Sequence, residues 1–270
     1  MGKSSHKFQE KMQSGKTFEQ DLKKDRLEYI AGLSEYTRRS FDDVHRDLCR
    51  GEILIRDEWN EKNPHTPEEI HRFYKETKNY PFDLGNYHFG NPTSAPCQRQ
   101  FDVELLASCL KSRPKKVLDF GAGIGQNAYM LAREGIDVVV ADVDSNTLDF
   151  AEWRFKKHHV PAMFWRVDKE PAPNQKFDVI LCFDFLEHLP LEEAKKTVEL
   201  LGSLVTSKTK VLLTVPFGKT SLNPMHFNRN KEFDKLIRKL LGKDALYGKN
   251  DFLYTNTLMQ FLSKDEQKAS

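Results

Sequence analysis

Residues 117–128 read VLDFGAGIGQNA, a pattern that predicts a buried strand, a tight turn and the start of a helix. Two apolar residues followed by Asp119 are typical of the end of such a strand, and three alternate glycines indicate the turn. Glycine suits this position because it adopts positive φ and lets a ligand approach the backbone. The helix expected over 126–134 begins with unpaired N–H groups, so an anionic ligand group is expected there.

The spacing of the glycines distinguishes between kinds of ligand. A dinucleotide-binding fingerprint, G-x-G-x-x-G, would require glycine at position 126, which is Gln126. Residues 136–142 predict a second strand that ends in Asp142, 21 positions after Gly121. An acid that binds a ribose lies about 20 residues after such a turn. Asp142 is therefore the predicted ribose ligand.

The pattern from Asp119 to Gly125 resembles the first motif of the class I S-adenosylmethionine-dependent methyltransferases. The run FDVILCFDFLEHL, residues 177–189, resembles the fourth motif of that family. The resemblance implies an α/β fold, a doubly wound and mostly parallel sheet of the Rossmann-like methyltransferase type. It also implies S-adenosylmethionine as the methyl donor.

Length and charge restrict the organisation and the partners of the chain. Its 270 residues suffice for one α/β domain and an appendage. We expect a helical extension with a connecting segment over residues 1–95, of which 1–20 are expected to be mobile, and a methyltransferase domain over 96–270. The formal charge of +2 gives no broad attraction to a polyanion, so nucleic acid is not the expected partner.

The four cysteines lie far apart with no C-x-x-C pair, which argues against zinc and favours reduced thiols. No metal site is predicted. The polar N-terminus has no apolar core of the signal-peptide type, and no apolar run approaches the ~18 residues that would span a bilayer. These features predict a cytoplasmic protein without a membrane partner, and they leave the oligomeric state open.

Apolar residues at helical spacing predict helices between Thr17 and Trp59. Thr66, followed by Pro67 and Glu69, predicts a capping box that opens a further helix through about Lys78. The extension is expected to serve either as a lid over the acceptor pocket or as helical packing or a dimer contact. Residues 80–97 are rich in Pro, Gly and Asn and are predicted to be an irregular connection.

The catalytic domain is predicted to alternate strands and helices, which indicates a parallel sheet with helices on both faces. After a helix over 99–110, the expected elements are strands 116–120, 137–142, 162–167, 177–182 and 210–215 and helices 126–134, 146–158 and 191–205. The apolar stripe of helix 191–205 should pack on the sheet. In the tail, a helix over 231–241 and a strand within 252–262 are expected.

The chemistry of the donor suggests how its site is built. Amides of the glycine loop suit its carboxylate, Asp119 can reach its ammonium, and Asp142 can accept from both ribose hydroxyls. By resemblance to the family, Asp168 is placed to accept from the adenine amine, although it could simply cap a turn. The predicted donor-site residues are Asp119, Gly121, Ala122, Gly123, Gly125, Asn127, Asp142, Val143, Val167, Asp168 and Phe183.

Methyl transfer is an in-line displacement at an activated carbon, which requires alignment more than a strong acid or base. Three histidines are candidate catalytic bases because imidazole titrates near neutral pH, but each could have a structural role. They are His88, His188 and His226, of which His188 matches a Glu-His pair common in the family. The candidate acceptor-binding residues are Tyr87, Glu187 and Arg229.

Between positions 208 and 249 ten basic residues stand against three acidic ones. This segment predicts an acceptor that carries negative charge, unless the basic side chains merely face water. The leading functional prediction is methylation of a small molecule. The alternatives are an enzyme that modifies RNA or a protein side chain, and a binding scaffold that has lost catalysis. The intact Asp119, glycine loop and Asp142 argue against the scaffold.

Overall fold

The computed structural model describes residues 15–90, 113–216, 218–228, 231, 232, 235 and 257–262. Its helices are α1 (Gly15–Thr37), α2 (Phe41–Leu48), α3 (Gly51–Lys62), α4 (Pro67–Glu76), α5 (Tyr80–Phe89), α6 (Gln126–Arg133), α7 (Asn146–Lys157) and α8 (Leu191–Leu204). Its strands are β1 (Lys116–Phe120), β2 (Asp137–Asp142), β3 (Met163–Arg166), β4 (Val179–Phe183), β5 (Lys210–Pro216) and β6 (Thr257–Leu262). A short 3-10 helix, Leu186–His188, follows β4.

Within these residues the strands form one sheet in the order β3-β2-β1-β4-β5-β6. Strands β1 to β5 pair in parallel, and β6 runs antiparallel to β5. The chain moves outward from β1 to β3 on one side and from β4 to β6 on the other, so the winding reverses between β1 and β4. The predicted doubly wound, mostly parallel α/β sheet is confirmed, as is a strand within 252–262.

The central strands form where runs of aliphatic residues can be buried on both faces of the sheet. One face packs against α8 through Ala194, Val198 and Leu201, which confirms that the apolar stripe of this helix is core. The opposite face packs against α6 through Ala128 and Leu131. The sheet is therefore covered by helices on both faces, and a ligand is expected at the carboxyl ends of its strands.

The capping box predicted at the start of α4 is present. The Glu69 amide donates to the Thr66 hydroxyl (3.2 Å), and the Thr66 amide donates to the Glu69 carboxylate (3.0 Å). Pro67 occupies the first turn, where no backbone donor is needed. The helices expected between Thr17 and Trp59 are also confirmed.

The prediction of an irregular connection was wrong for residues 80–89, which form helix α5. Pro81 lies in its first turn, a position that tolerates proline, and Phe82, Gly85 and Phe89 face the interior. Burial of these residues outweighs the low helix propensity of a segment rich in Pro, Gly and Asn. The remainder of the predicted connection, 91–97, lies outside the described residues.

The extension shares a hydrophobic core with the catalytic domain. Tyr29, Ile30 and Leu33 of α1 are buried in one cluster with Ile124 of the glycine loop and Phe150 of α7. The Tyr29 ring meets the Phe150 ring edge to face, with the centroids 5.5 Å apart. Helix α1 therefore has the packing role that was one of the two expectations, and a role of the extension as a lid stays a prediction.

Several predicted elements fall wholly or largely outside the described residues. These are the start of the chain through residue 14, the helix over 99–110 and most of the helix over 231–241, of which positions 231, 232 and 235 are helical. The expected mobile start is helical from Gly15 onwards. No helix in the described ranges is long and apolar enough to cross a bilayer.

Candidate functional site

A cavity of about 600 Å³ opens at the carboxyl ends of β1, β2 and β4. Ligands of open α/β sheets bind at this edge, where the winding reverses. Helices α4 and α5 close its other side with Tyr74, Tyr80, Leu84 and Tyr87. Of the predicted donor-site residues all but Gly125 line the cavity, namely Asp119, Gly121, Ala122, Gly123, Asn127, Asp142, Val143, Val167, Asp168 and Phe183.

The glycine loop makes room for protein side chains as well as for a turn. Gly121 and Gly123 have φ angles of 72° and 54°, which disfavour a residue with a Cβ. A Cβ on Gly121 would lie 2.3 Å from the Phe185 ring, and one on Gly123 would lie 2.6 Å from the Leu84 side chain. The loop is thus packed between the segment after β4 and helix α5.

Several amides of the loop already donate to protein acceptors. Those of Gly121 and Ala122 donate to the Ala141 carbonyl at 2.8 and 3.1 Å. That of Gly123 donates to the Asp142 carboxylate at 2.7 Å. The expected contact of these amides with a ligand carboxylate stays a prediction, because a ligand would have to share or replace these bonds.

Three polar residues from β1, α6 and α7 line the cavity. Asp119 is buried and accepts a hydrogen bond from the Ala128 amide (3.0 Å), which ties the end of β1 to the first turn of α6. The Asn127 Oδ1 atom and the Thr147 hydroxyl are buried without a hydrogen-bond partner among the described residues. Both residues line the cavity. Buried polar atoms of this kind are expected to bond to a ligand or to water.

The Asp142 carboxylate lies at the end of β2, where it was predicted. It accepts hydrogen bonds from the Gly123 and Val143 amides, both at 2.7 Å. Burial raises the pKa of Asp142 to about 6, against the lowering effect of these two bonds, and nearby Asp168 adds to the rise. The group is therefore ionised at neutral pH and retains lone pairs for further donors.

Asp168 connects the edge of the sheet to helix α4. Its carboxylate accepts from the Asp144 amide (2.7 Å) and pairs with the Lys75 ammonium (2.9 Å) and with His71 (3.4 Å). Burial favours the neutral acid, but the bonds from Asp144 and Lys75 outweigh it and lower the pKa of Asp168. These contacts give Asp168 a structural role alongside its predicted role at the adenine, which stays a prediction.

Asp184 follows β4 and is held from two sides. Its carboxylate accepts from the Thr214 hydroxyl of β5 (2.8 Å) and from the Tyr87 hydroxyl of α5. Its φ angle of 48° is in the left-handed region. Tyr87, predicted to bind the acceptor, thus lines the cavity while anchored to the catalytic domain.

Glu187 and His188 lie next to each other in the 3-10 helix after β4. Glu187 is fully buried, and neither of its carboxylate oxygens has a hydrogen-bond partner within the described part of the chain. Burial, together with the charge of Asp184, raises the pKa of Glu187 well above its usual range. Burial, and then His226, hold the pKa of His188 well below its usual range, so this ring is neutral.

The three candidate histidines have different surroundings. The His188 Nδ1 atom lies 2.9 Å from the Tyr74 hydroxyl, and its ring lies 4.7 Å from the His226 ring, measured between centroids. His88 is buried in α5 and lines the cavity, as His188 does. Their catalytic roles stay predictions. Arg229 lies outside the described residues, as do four more of the ten basic residues between positions 208 and 249.

Sequence reasoning did not single out Tyr74 or Lys75 as site residues, whereas it placed Asp184 after the fourth strand, at the ligand-binding edge, without giving it a role. The helical spacing of Ile70, Phe73 and Tyr74 indicates the buried face of α4 but not which partner each side chain meets. The pairs Tyr74–His188 and Lys75–Asp168 join positions 114 and 93 residues apart. Asp184 carries a visible signal, since a carboxylate directly after a buried strand lies at the ligand-binding edge.

A doubly wound sheet, a glycine turn, an acid at the end of β2 and a cavity at the reversal point define a Rossmann-like α/β protein with a nucleoside-type site. The chain belongs to the methyltransferase domain family, whose profile matches residues 98–266. The family predicted from the two motifs is thereby confirmed.

Curated relatives and solved structures are similar to parts of the chain. The ubiquinone biosynthesis O-methyltransferase of Photorhabdus laumondii is 33% identical over 79 residues, covering 28% of this chain and 33% of that protein. The protein of the same name from Actinobacillus pleuropneumoniae serotype 7 is 28% identical over 140 residues, covering 46% of this chain and 60% of that protein. The chain thus spans from a third to three-fifths of the length of these two relatives.

Two solved structures share the fold. An O-methyltransferase family protein from Burkholderia thailandensis superposes with a TM-score of 0.55 at 14% identity, covering 80% of this chain and 71% of that one. The N-methyltransferase NodS from Bradyrhizobium japonicum was solved with S-adenosyl-L-homocysteine. It superposes with a TM-score of 0.53 at 15% identity, covering 75% of this chain and 100% of that one. At these identities the likeness concerns the fold alone.

Proposed function

We propose that this protein transfers the methyl group of S-adenosylmethionine to a small-molecule acceptor. The observation that carries the proposal is a cavity between the glycine loop and helices α4 and α5, lined by Asp142 and by Asn127, whose Oδ1 atom is buried without a hydrogen-bond partner among the described residues. A nucleoside hydroxyl and an ammonium or amide group would satisfy such acceptors.

When bound, the donor supplies a methyl group attached to a sulfonium. As the methyl group is transferred, the sulfur keeps the electron pair of the broken bond and becomes a neutral thioether. Asp142 would hold the ribose hydroxyls, Asp119 the ammonium and Asp168 the adenine amine. Val143, Val167 and Phe183 would form apolar walls beside them. The chain thus binds and aligns the donor, and alignment alone can contribute about 7–11 kcal/mol to such a reaction.

The acceptor side of the cavity favours a small molecule. Its walls include Tyr74, Tyr80 and Tyr87 from the extension, and the whole volume of about 600 Å³ is of the size that binds drug-sized ligands. The curated relatives are named O-methyltransferases, which supports an oxygen atom as the acceptor. An oxygen acceptor loses a proton on methylation, and His88, which lines the cavity, is a candidate to receive it.

Two further parts of the proposal rest on sequence composition. The basic residues between 208 and 249 support an acceptor with negative charge. The scattered cysteines support a cytoplasmic location, and Cys49 and Cys182 are free thiols in the described part of the chain.

The test is methyl transfer from S-adenosylmethionine with a labelled methyl group into an extract, with products followed by mass spectrometry. Label is expected in small molecules. Label confined to RNA or protein would replace the proposal by the macromolecular alternative. Tight binding of S-adenosylhomocysteine without transfer to any fraction would favour a scaffold, and absence of both binding and transfer would overturn the proposal.

The affinity for S-adenosylhomocysteine is expected to fall as the pH is lowered from about 7.5 to 5. Because the pKa of Asp142 is about 6, its carboxylate takes up a proton over this range and loses the charge that strengthens its bonds to hydroxyl donors. Asp142→Asn, which imitates the neutral form, should bind more weakly at pH 7.5 and show a flatter pH profile. Equal pH profiles of the two proteins would contradict a role of this carboxylate.

A further inference from the structure

Glu187, His188 and His226 form a compact cluster beside the cavity. Each offers one ligand atom, and these atoms all lie within 4.8 Å of one another. The sequence predicted no metal site, because its cysteines form no C-x-x-C pair, and His226 lies 38 positions after His188. Only the folded chain brings a carboxylate and two imidazoles together.

We propose that these three residues bind a divalent transition-metal ion that holds an oxygen of the methyl acceptor. The inference deepens the proposed function and rests on it for the identity of the acceptor, but metal binding can be measured independently. The first argument is the Glu187 carboxylate, which is fully buried and lacks a hydrogen-bond partner among the described residues for either oxygen. A buried carboxylate needs a compensating charge or donors, and a metal ion supplies the charge.

The second argument is the orientation of His188. The Tyr74 hydroxyl lies 2.9 Å from Nδ1, while Nε2 faces Glu187 at 3.8 Å from Oε1. In the tautomer with hydrogen on Nδ1, the ring donates to Tyr74 and presents the Nε2 lone pair to the cluster. Metal-binding histidines commonly donate their other ring N–H in this way, which fixes the orientation of the ring.

The third argument is the attachment of the loop that carries His226. The Phe227 amide donates to the Glu187 carbonyl at 2.7 Å, so the residue after His226 is bonded to the backbone of another candidate ligand. The two imidazole rings lie nearly perpendicular, with centroids 4.7 Å apart. The cluster therefore combines a 3-10 helix and a loop that are bonded to each other.

The ligand set indicates the kind of ion and its task. Two imidazoles and one carboxylate suit Zn²⁺, Fe²⁺ or Co²⁺ better than Mg²⁺, which prefers oxygen ligands and water. Three protein ligands leave positions for a further oxygen. Because His188 also lines the cavity, that oxygen can belong to the acceptor, where the ion would stabilise negative charge on it.

The experiment is titration of the full chain, freed of metal by a chelator, with Zn²⁺ and Mg²⁺ in a calorimeter and with Co²⁺ by visible absorption. One Zn²⁺ per chain is expected, bound more tightly than Mg²⁺. Glu187→Gln and His226→Ala should each weaken Zn²⁺ binding at least tenfold, as should Tyr74→Phe through the orientation of His188. His45→Ala, which removes an exposed imidazole from α2, should leave the affinity unchanged.

Thermal unfolding of the metal-free variants separates loss of a ligand from loss of the fold. Glu187→Gln removes a buried carboxylate that lacks a hydrogen-bond partner, so its melting temperature without metal should equal or exceed that of the wild type. Absence of stoichiometric Zn²⁺ binding, or equal affinity in Glu187→Gln, His226→Ala and the wild type, would overturn the inference. Failure to bind S-adenosylhomocysteine would instead overturn the proposed function and leave the metal result standing.

Discussion

Replacement of Phe150 by alanine is expected to lower the free energy of unfolding by about 3–5 kcal/mol. The side chain is fully buried in α7, and its ring contacts the Tyr29 ring of α1 and lies 6.0 Å from that of Trp153. Removing it leaves a cavity between the extension and the catalytic domain. Because Ile30 and Leu33 belong to the same cluster, both parts of the chain should lose stability together.

The measurement is urea unfolding followed by circular dichroism, with Leu27→Ala as the control. Leu27 belongs to α1 like Ile30, but it is 48% exposed, so its replacement should change stability by no more than about 0.5 kcal/mol. Phe150→Ala is expected to show a single unfolding transition with its midpoint at a lower urea concentration. Two separate transitions, or a loss below about 1 kcal/mol, would show that the extension folds independently of the catalytic domain.

Asp142→Ala is expected to weaken the binding of S-adenosylmethionine at least tenfold. A charge-assisted hydrogen bond contributes about 1.5–3 kcal/mol, and tenfold in affinity corresponds to about 1.4 kcal/mol. The structure adds a second reason, because the Asp142 carboxylate accepts the Gly123 amide at 2.7 Å. The substitution would leave that amide without its acceptor and loosen the glycine loop.

Calorimetry with the donor and with S-adenosylhomocysteine measures this effect. Asp137→Ala is the matched control, because Asp137 lies at the other end of the same strand and its side chain forms an exposed ion pair with Lys116 (3.1 Å). Such pairs contribute little, so donor affinity should not change. Equal affinity of Asp142→Ala and the wild type would remove the ribose assignment.

The catalytic domain was largely predictable because its signals are local. The strands around Val138–Ala141 and Val179–Cys182 are short aliphatic runs, which are buried on both faces in any parallel sheet. The glycine turn and Asp142 have a spacing that follows from one strand-helix-strand unit. The capping box at Thr66 depends on residues three positions apart, so it too could be identified from the sequence.

Helix α5 was missed because its stability does not come from its own sequence. Pro81, Gly85 and Asn86 lower the helix propensity of the segment, and periodicity alone gave no clear pattern. The helix exists because Phe82 and Phe89 are buried against α1 and α2, in contacts between residues far apart in sequence. The same reason explains why the extension proved to be part of the core.

The sequence by itself determined the family, the order of the strands along the chain and the acid at the end of β2, because each depends on neighbouring residues. The tertiary structure decided which side chains meet around the cavity. Tyr74 lies beside His188, and Glu187 is buried next to His226, although no rule of spacing connects these positions. Such contacts depend on how helices and loops pack on the sheet. That packing follows from the free-energy balance of the whole chain, so it cannot be read from any short segment.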